Sequence, residues 1–304
     1  MKYFVFPFTE ADLNCFTEIF FVIPFLSEGH YQKVIQAANI WNEGLYAKLR
    51  FAQTNVELVS DIKECDISII PFKYSKEDKR IEEFCSSAKE QNKKVICFCN
   101  DDSSEVFDLP TNLYLFRTSI DNKLKKLNER GYPVLIPDHF PSNIDLYSAP
   151  ENYGLTFCGF PGNNRKPILE QIINQYKYTN FMYRSGFWAP ELSSKQAARK
   201  EFYTNLLSGS FAFCIRGNGN FSYRFYEALS FGRIPVLFDT DCVLPFNNVI
   251  DWNNHIITIK TEDISNLESI LRNSNGKISP QANRKLWETH FSPEGYYDKF
   301  ILDV

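Results

Sequence analysis

The sequence predicts an α/β protein made of two similar α/β halves. Three observations predict it. Short apolar runs alternate with helix-period segments along most of the chain; one stretch rich in Pro, Asn and Ser interrupts that alternation near the middle; and one apolar run ends in a glycine-containing turn that leads into a helix.

In the first half, "KYFVFPF", "DISIIPF", "KVICFC" and "LYLFRT" read as buried strands, with helices expected over "EGHYQKVIQAANIWNEGLYAKL" and "SKEDKRIEEFCSSAKEQN". Residues 131–154, "GYPVLIPDHFPSNIDLYSAPENYG", form the linker candidate. The alternation then resumes with "LTFCGF", a helix from about Arg165, "NFMYRSGF", a helix over "SSKQAARKEFYTNLL", "FAFCI", a helix over "SYRFYEALSF", "IPVLF" and "HIITI". The expected division is a first domain over 1–140, a second over 141–285 and a helical tail over 286–304. Trp287, Phe291, Tyr296, Tyr297 and Phe300 are aromatic anchors in that tail, which could pack on either half.

The 304 residues are 44% hydrophobic and 16% aromatic, enough for two ordinary cores. A formal net charge of -4 with scattered basic residues leaves no electrostatic footprint for nucleic acid. None of the eight cysteines shows metal-ligand spacing; Cys97 and Cys99 sit inside an apolar strand and read as buried small hydrophobes of a reducing compartment. The segment "MKYFVFPFTEADL" is too short an apolar run for a signal peptide, and the most apolar window, "CFTEIFFVIPFL", carries Glu18 and Pro24 and falls below spanning length. A glycan on Asn220-Phe221-Ser222 would block the decisive turn. The expectation is a cytoplasmic protein, working beside a membrane or within a larger glycan-assembly system.

That turn is "FAFCIRGNGNFSYRFYEALSFGRIPVLFD", residues 211–239. Arg-Gly-Asn-Gly-Asn can take backbone conformations other residues resist, so the chain can pass tightly from strand to helix. The first helical turn leaves N–H groups without intrahelical partners and carries the positive end of the dipole, which suits a phosphate. At 100° per residue, Phe221, Phe225, Ala228, Leu229 and Gly232 fall on a packing arc, and Asn220, Tyr223, Arg224 and Glu227 on a polar one. Ligands of open α/β sheets bind outside the carboxyl ends of the strands, where this turn lies. The same turn could be purely geometric, and Arg224 with Glu227 could be a surface pair.

The string 216–246, "RGNGNFSYRFYEALSFGRIPVLFDTDCVLPF", resembles the signature of exostosin-like glycosyltransferases. Its pattern, R-G-x-x-x-x-S-x-R-x-x-E-A-L-x-x-G-x-I-P-V and then L-P-F, is met by Arg216, Gly217, Ser222, Arg224, Glu227 and Ala228, and onward through Gly232 and Pro235 to Leu244, Pro245 and Phe246. "FCGFPGNNRKPIL", "FYTNLLSGSFAFC" and "ECDISIIPF" extend the likeness over most of 61–246. The chain departs from the pattern at Ile215, Phe221 and Arg233, where the family usually has proline, an acidic residue and cysteine.

The resemblance implies a GT-B fold of two facing Rossmann-like domains. A nucleotide-diphosphate sugar would be held mainly by the second domain and a glycan acceptor by the first, with the terminal helix crossing back to the first. It also implies inverting transfer without an obligatory metal and with no cofactor beyond the donor substrate. Donor contacts are expected from Arg165, Arg184, Arg216, Gly217, Asn218, Gly219, Asn220, Ser222, Tyr223, Arg224 and Glu227, with Glu227 on the ribose. Phe187 and Trp188 could stack on a sugar or base, or simply lie in the core. A general base must face the acceptor hydroxyl. Asp12 is the choice among strand-end and linker candidates that include Glu10, Asp101, Asp102, Asp138 and His139, each of which could instead be a solvated carboxylate or a cap.

Two other readings stand beside this one. A catalytically silent nucleotide-sugar-binding subunit would result if the base were missing. A different Rossmann-type enzyme, such as an epimerase or dehydrogenase, is disfavoured because no GxGxxG follows the first strand.

Overall fold

Strands that are buried on both faces lose the polar alternation of a surface sheet, and this chain has two sets of them. The computed structural model describes residues 1–9, 11–12, 22–37, 56–140, 153–186, 189–192 and 194–304. In the first set, all four residues of β3 (Ile67–Ile70) are buried, as are five of the six in β4 (Lys94–Cys99). With β1 (Lys2–Val5), β2 (Glu57–Val59), β5 (Leu113–Arg117) and β6 (Glu129–Gly131) they form a parallel sheet of order β2-β1-β3-β4-β5-β6. Helices α1 (Glu28–Ala37) and α2 (Lys79–Glu90) belong to this unit. The carboxylate of Asp78 accepts the Arg80 N–H and caps α2, whose Ile81, Cys85 and Ala88 enter the core with Val95, Leu113 and Leu115.

The second sheet contains β7 (Leu155–Gly159), β8 (Thr179–Tyr183), β9 (Phe211–Cys214), β10 (Ile234–Phe238) and β11 (Ile257–Ile259). It too is parallel, in the order β11-β10-β9-β7-β8. Between its strands run α3 (Gly162–Gln175), α4 (Lys195–Leu207) and α5 (Tyr223–Ser230), followed by α6 (Leu267–Ser274) and α7 (Pro280–His290). A single core joins Phe157, Leu169, Phe211, Phe213, Val236 and Ile259. Helix α5 stops where Gly232, at φ +60°, lets its N–H reach the Leu229 carbonyl while Arg233 N–H reaches that of Ala228, the paired bonds of a Schellman end.

The two compact units do not follow the expected linear division. One comprises Met1–Pro137, Asp241–Val249 and Pro293–Val304; the other comprises Asp138–Thr240 and Ile250–Ser292. The first boundary thus falls at Pro137, and residues 241–249, expected in the second domain, belong to the first unit. Packing explains the reassignment. Cys242 bridges Asp121, Gly131 has no room for a Cβ against the Leu244–Pro245 backbone, and the Phe246 N–H donates to the Asp303 carboxylate at 3.1 Å. The tail divides as well. Asn283 holds α7 in the second unit by donating to the Arg233 and His255 carbonyls, while α8 (Pro293–Lys299) joins the first unit through Tyr296 and Phe300.

Strands β2 and β6, three residues each, carry too little pattern to be read from sequence. The expected first helix is helical over Glu28–Ala37, and its remainder lies outside the described residues.

The junction of β7 and β9 is tight at Gly209, where an added Cβ would overlap the Gly154 carbonyl, a backbone group that also accepts the Phe211 N–H. Gly209→Ala is expected to destabilise the protein by about 1–3 kcal/mol in urea unfolding. The same change at Gly29, with nothing within 4 Å, should cost nothing.

Candidate functional site

Strand order locates a crevice. In the second sheet β7 lies between β8 and β9, so the chain leaves β7 toward one side and β9 toward the other, and the segments after their carboxyl ends diverge. Such a reversal opens a ligand site in doubly wound sheets. The two segments are Phe160 and Pro161 leading into α3, and residues 215–222 leading into α5.

Arg224, on the first turn of α5, is buried at 8% exposure. Its Nη2 donates to the Cys158 carbonyl at the end of β7, and its guanidinium lies 5.0 Å from the Phe157 ring centroid and 4.7 Å from that of Phe202 on α4. Nη1 is buried with no hydrogen-bond partner. Among the described residues no carboxylate comes within ion-pair distance of this cation. Burial holds its pKa below the ordinary arginine value. Arg165, in the first turn of α3, donates from Nε to the Arg216 carbonyl at 2.7 Å and from Nη1 to that of Phe160 at 3.1 Å. Its pKa is also lowered, first by burial and then by the neighbouring charge of Arg224. Two neighbouring guanidiniums, both bonded to carbonyls rather than carboxylates, make a cationic cluster suited to an anion.

Glu227 lies one turn along α5, half-buried, with no hydrogen bond to its carboxylate among the described residues. Burial raises its pKa against the opposing pull of Arg224 and Arg199. An ionised carboxylate with open acceptor positions can receive hydroxyl donors from a polar ligand.

The loop between the two arginines is built around close approach. A Cβ on Gly217 would lie 2.8 Å from Arg165 Nη2. Arg216 curls back to the carbonyls of Gly217 and Asn218, 3.4 and 2.5 Å away. Gly219 is buried and Asn218 exposed. Asn220 is structural: its Nδ2 donates to the Thr240 carbonyl and its Oδ1 accepts the Thr240 hydroxyl, tying the loop to the end of β10. Ser222 is the N-cap residue, yet its hydroxyl accepts no helix N–H. The expected helical arcs need correction. The helix begins at Tyr223, so Asn220 and Phe221 precede it, and Arg224 and Tyr226 turn inward while Tyr223 is exposed.

Other expected site residues have partners of their own. Arg184 pairs with Glu201 at 2.8 Å and Glu191 at 3.6 Å, so its charge is already met. Asp12 receives both terminal nitrogens of Arg80, at 3.0 and 3.3 Å, as well as the Thr9 amide and hydroxyl. These bonds hold its carboxyl below the usual carboxylate range, the reverse of what a general base requires. Asp138 pairs with Arg284, Asp101 pairs with Lys73, and His139 lies over the Tyr203 ring. Glu10, Phe187 and Trp188 lie outside the described residues. Phe157, Phe202 and the Cys158 carbonyl were missed by sequence reasoning, because no spacing links a strand at 155–159 to a helix at 195–207 before the strand order is known.

A doubly wound parallel unit places a ligand crevice at its switch point, where Arg224 and Arg165 lie. Residues 137–274 match the model of the Exostosin GT47 domain. That segment is similar to the corresponding part of exostosin-like glycosyltransferases. It is 30% identical over 104 residues to "Exostosin-1 homolog" of Caenorhabditis elegans, covering 34% of this chain and 25% of that protein. To a "Probable glycosyltransferase" of Arabidopsis thaliana it is 32% identical over 153 residues, 47% of this chain and 27% of the relative. The chain thus spans about a quarter of the length of these relatives. The apo form of the lipopolysaccharide outer core galactosyltransferase WaaB aligns with 100% of this chain and 99% of its own, at a TM-score of 0.44 and 11% identity.

Two outcomes follow from the crevice. Gly217→Ala should leave thermal stability nearly unchanged, since only the flexible end of Arg165 must move, but should weaken anion binding several-fold in calorimetry with a nucleoside diphosphate. Glu227→Gln should raise the melting temperature at neutral pH. A carboxyl whose folded pKa lies above its unfolded value loses stability as pH rises through that interval, and the amide removes the loss. The gain should vanish at a pH below the unfolded glutamate value, where both forms are neutral.

Proposed function

We propose that the crevice holds the diphosphate of a nucleotide sugar and that the protein transfers the sugar, with inversion, to a glycan acceptor. The observation that carries this reading is the buried Arg224, with Nη1 unpartnered and Arg165 beside it, in a segment of exostosin type. In such a transfer the bond from the anomeric carbon to the diphosphate oxygen breaks, and the acceptor oxygen attacks from the opposite face. The acceptor proton passes to a base and the nucleoside diphosphate leaves with added negative charge. Arg224, Arg165 and the N–H groups opening α5 would meet that charge without a metal ion. Glu227 would accept the ribose hydroxyls, and Ser222, whose side chain caps nothing, would bond a phosphate oxygen. Arg216, Gly217, Asn218 and Gly219 would shape the phosphate turn, with Asn220 fixing it and Tyr223 at its rim. A cytoplasmic setting fits the seven described cysteines, all of them free thiols.

The test pairs binding with turnover. Calorimetry against UDP and GDP should show saturable binding that weakens at least about tenfold in Arg224→Lys, since an ammonium cannot reproduce a planar cation held between two rings. Release of nucleoside diphosphate from the matching sugar donor should rise on adding a glycan primer and fall in the same variant. Undiminished affinity in both Arg224→Lys and Arg165→Met would remove the site from this role.

A further inference from the structure

The first sheet has a reversal of its own. In the order β2-β1-β3-β4 the chain leaves β1 toward one side and β3 toward the other, so the segments after their carboxyl ends diverge as those of β7 and β9 do. One ionic network spans the gap. Asp12, after β1, meets Arg80, after β3, which also pairs with Asp78 at 2.6 Å and lies 4.8 Å from the Phe72 ring centroid. Both oxygens of each carboxylate accept from Arg80, so this network is closed on itself.

His30, in the first turn of α1, stands differently. Its ring centroid lies 4.6 Å from that of Phe8, three residues past the end of β1, which puts the imidazole at the same carboxyl edge. Nδ1 is 2.8 Å from Ser27 Oγ, and that oxygen also accepts the His30 backbone N–H at 3.4 Å. This acceptor role assigns the ring hydrogen to Nδ1 and the lone pair to Nε2. Among the described residues Nε2 forms no hydrogen bond, and the side chain is only half-buried. An imidazole fixed through one nitrogen and open at the other can take a proton from a hydroxyl. Asp102, by contrast, is exposed after β4 and lies outside the reversal.

We propose that the crevice between β1 and β3 takes a glycan acceptor and that His30 is the general base for its hydroxyl. The acceptor O–H bond breaks and its proton passes to Nε2. The acceptor oxygen forms the new bond to the anomeric carbon, the bond from that carbon to the diphosphate oxygen breaks, and the nucleoside diphosphate leaves with the electron pair. Ser27 is a positioning residue that keeps the Nε2 lone pair outward. Within the transfer reading, on which this inference rests, His30 supplies the base that Asp12 cannot be.

Chemical rescue tests it. The full chain is assayed with UDP-glucose, UDP-N-acetylglucosamine, UDP-glucuronate and GDP-mannose, and with a mixture of hexose and hexosamine oligosaccharides as primer. For the donor consumed, kcat is expected to fall on the order of 10²–10⁴-fold in His30→Ala and in His30→Gln. Nucleoside diphosphate affinity in calorimetry should stay unchanged, since His30 belongs to the first unit and the nucleotide crevice to the second. Added imidazole should return part of the rate to His30→Ala but not to His30→Gln, whose side chain fills the space. Undiminished kcat in either variant overturns the base while leaving the transfer reading intact. Loss of rate with a lowered melting temperature and no rescue would assign His30 to packing on Phe8, which equally overturns it. A wild-type chain that consumes none of the four donors overturns the base together with the transfer reading.

Discussion

A buried cation with no carboxylate at ion-pair distance among the described residues governs the second unit. Removing a guanidinium from water costs several kcal/mol even after relaxation. What offsets that cost at Arg224 is one charge-assisted bond to the Cys158 carbonyl, worth about 1.5–3 kcal/mol, and two aromatic faces, each contributing roughly 0.5–2 kcal/mol. These terms are comparable to the cost and leave one nitrogen unsatisfied. The unit therefore tolerates the charge without neutralising it and leaves one guanidinium nitrogen without a partner, which is what the proposed phosphate would complete.

The surrounding structure serves this arrangement. Phe157 comes from β7 and Phe202 from α4, while the cation rides on α5, so three elements must be in register before the clamp exists. The Asn220–Thr240 pair fixes the loop that precedes α5, and the Schellman end at Gly232 fixes where the helix stops. The contrast with Arg184 is instructive. That arginine stands at the end of the neighbouring strand but is matched by Glu191 and Glu201, and its charge is absorbed within the protein.

Much of this was legible beforehand. The runs at 155–159, 211–214 and 234–238 were readable because buried parallel strands need continuous apolar character, and the Arg-Gly-Asn-Gly turn because few other residues permit so abrupt a change of direction. Arg224 and Glu227 stand out in the motif, and helix periodicity puts Arg224 on the polar arc; its burial follows from ring stacking that periodicity does not encode. Asp12 was chosen by position after a strand. Its pairing with Arg80, 68 residues away, has no sequence signal.

Local chemistry alone thus determined the α/β class, the position of the glycine-containing turn and the residues that could bear charge, because backbone freedom and apolar runs are properties of neighbours in the chain. Tertiary structure decided which charges remain open. It placed β7 beside β9, moved residues 241–249 into the first unit and paired Asp12 and Arg184 while leaving Arg224 unpaired. The physical reason is that desolvation and ion pairing depend on what packs around a group from distant parts of the chain.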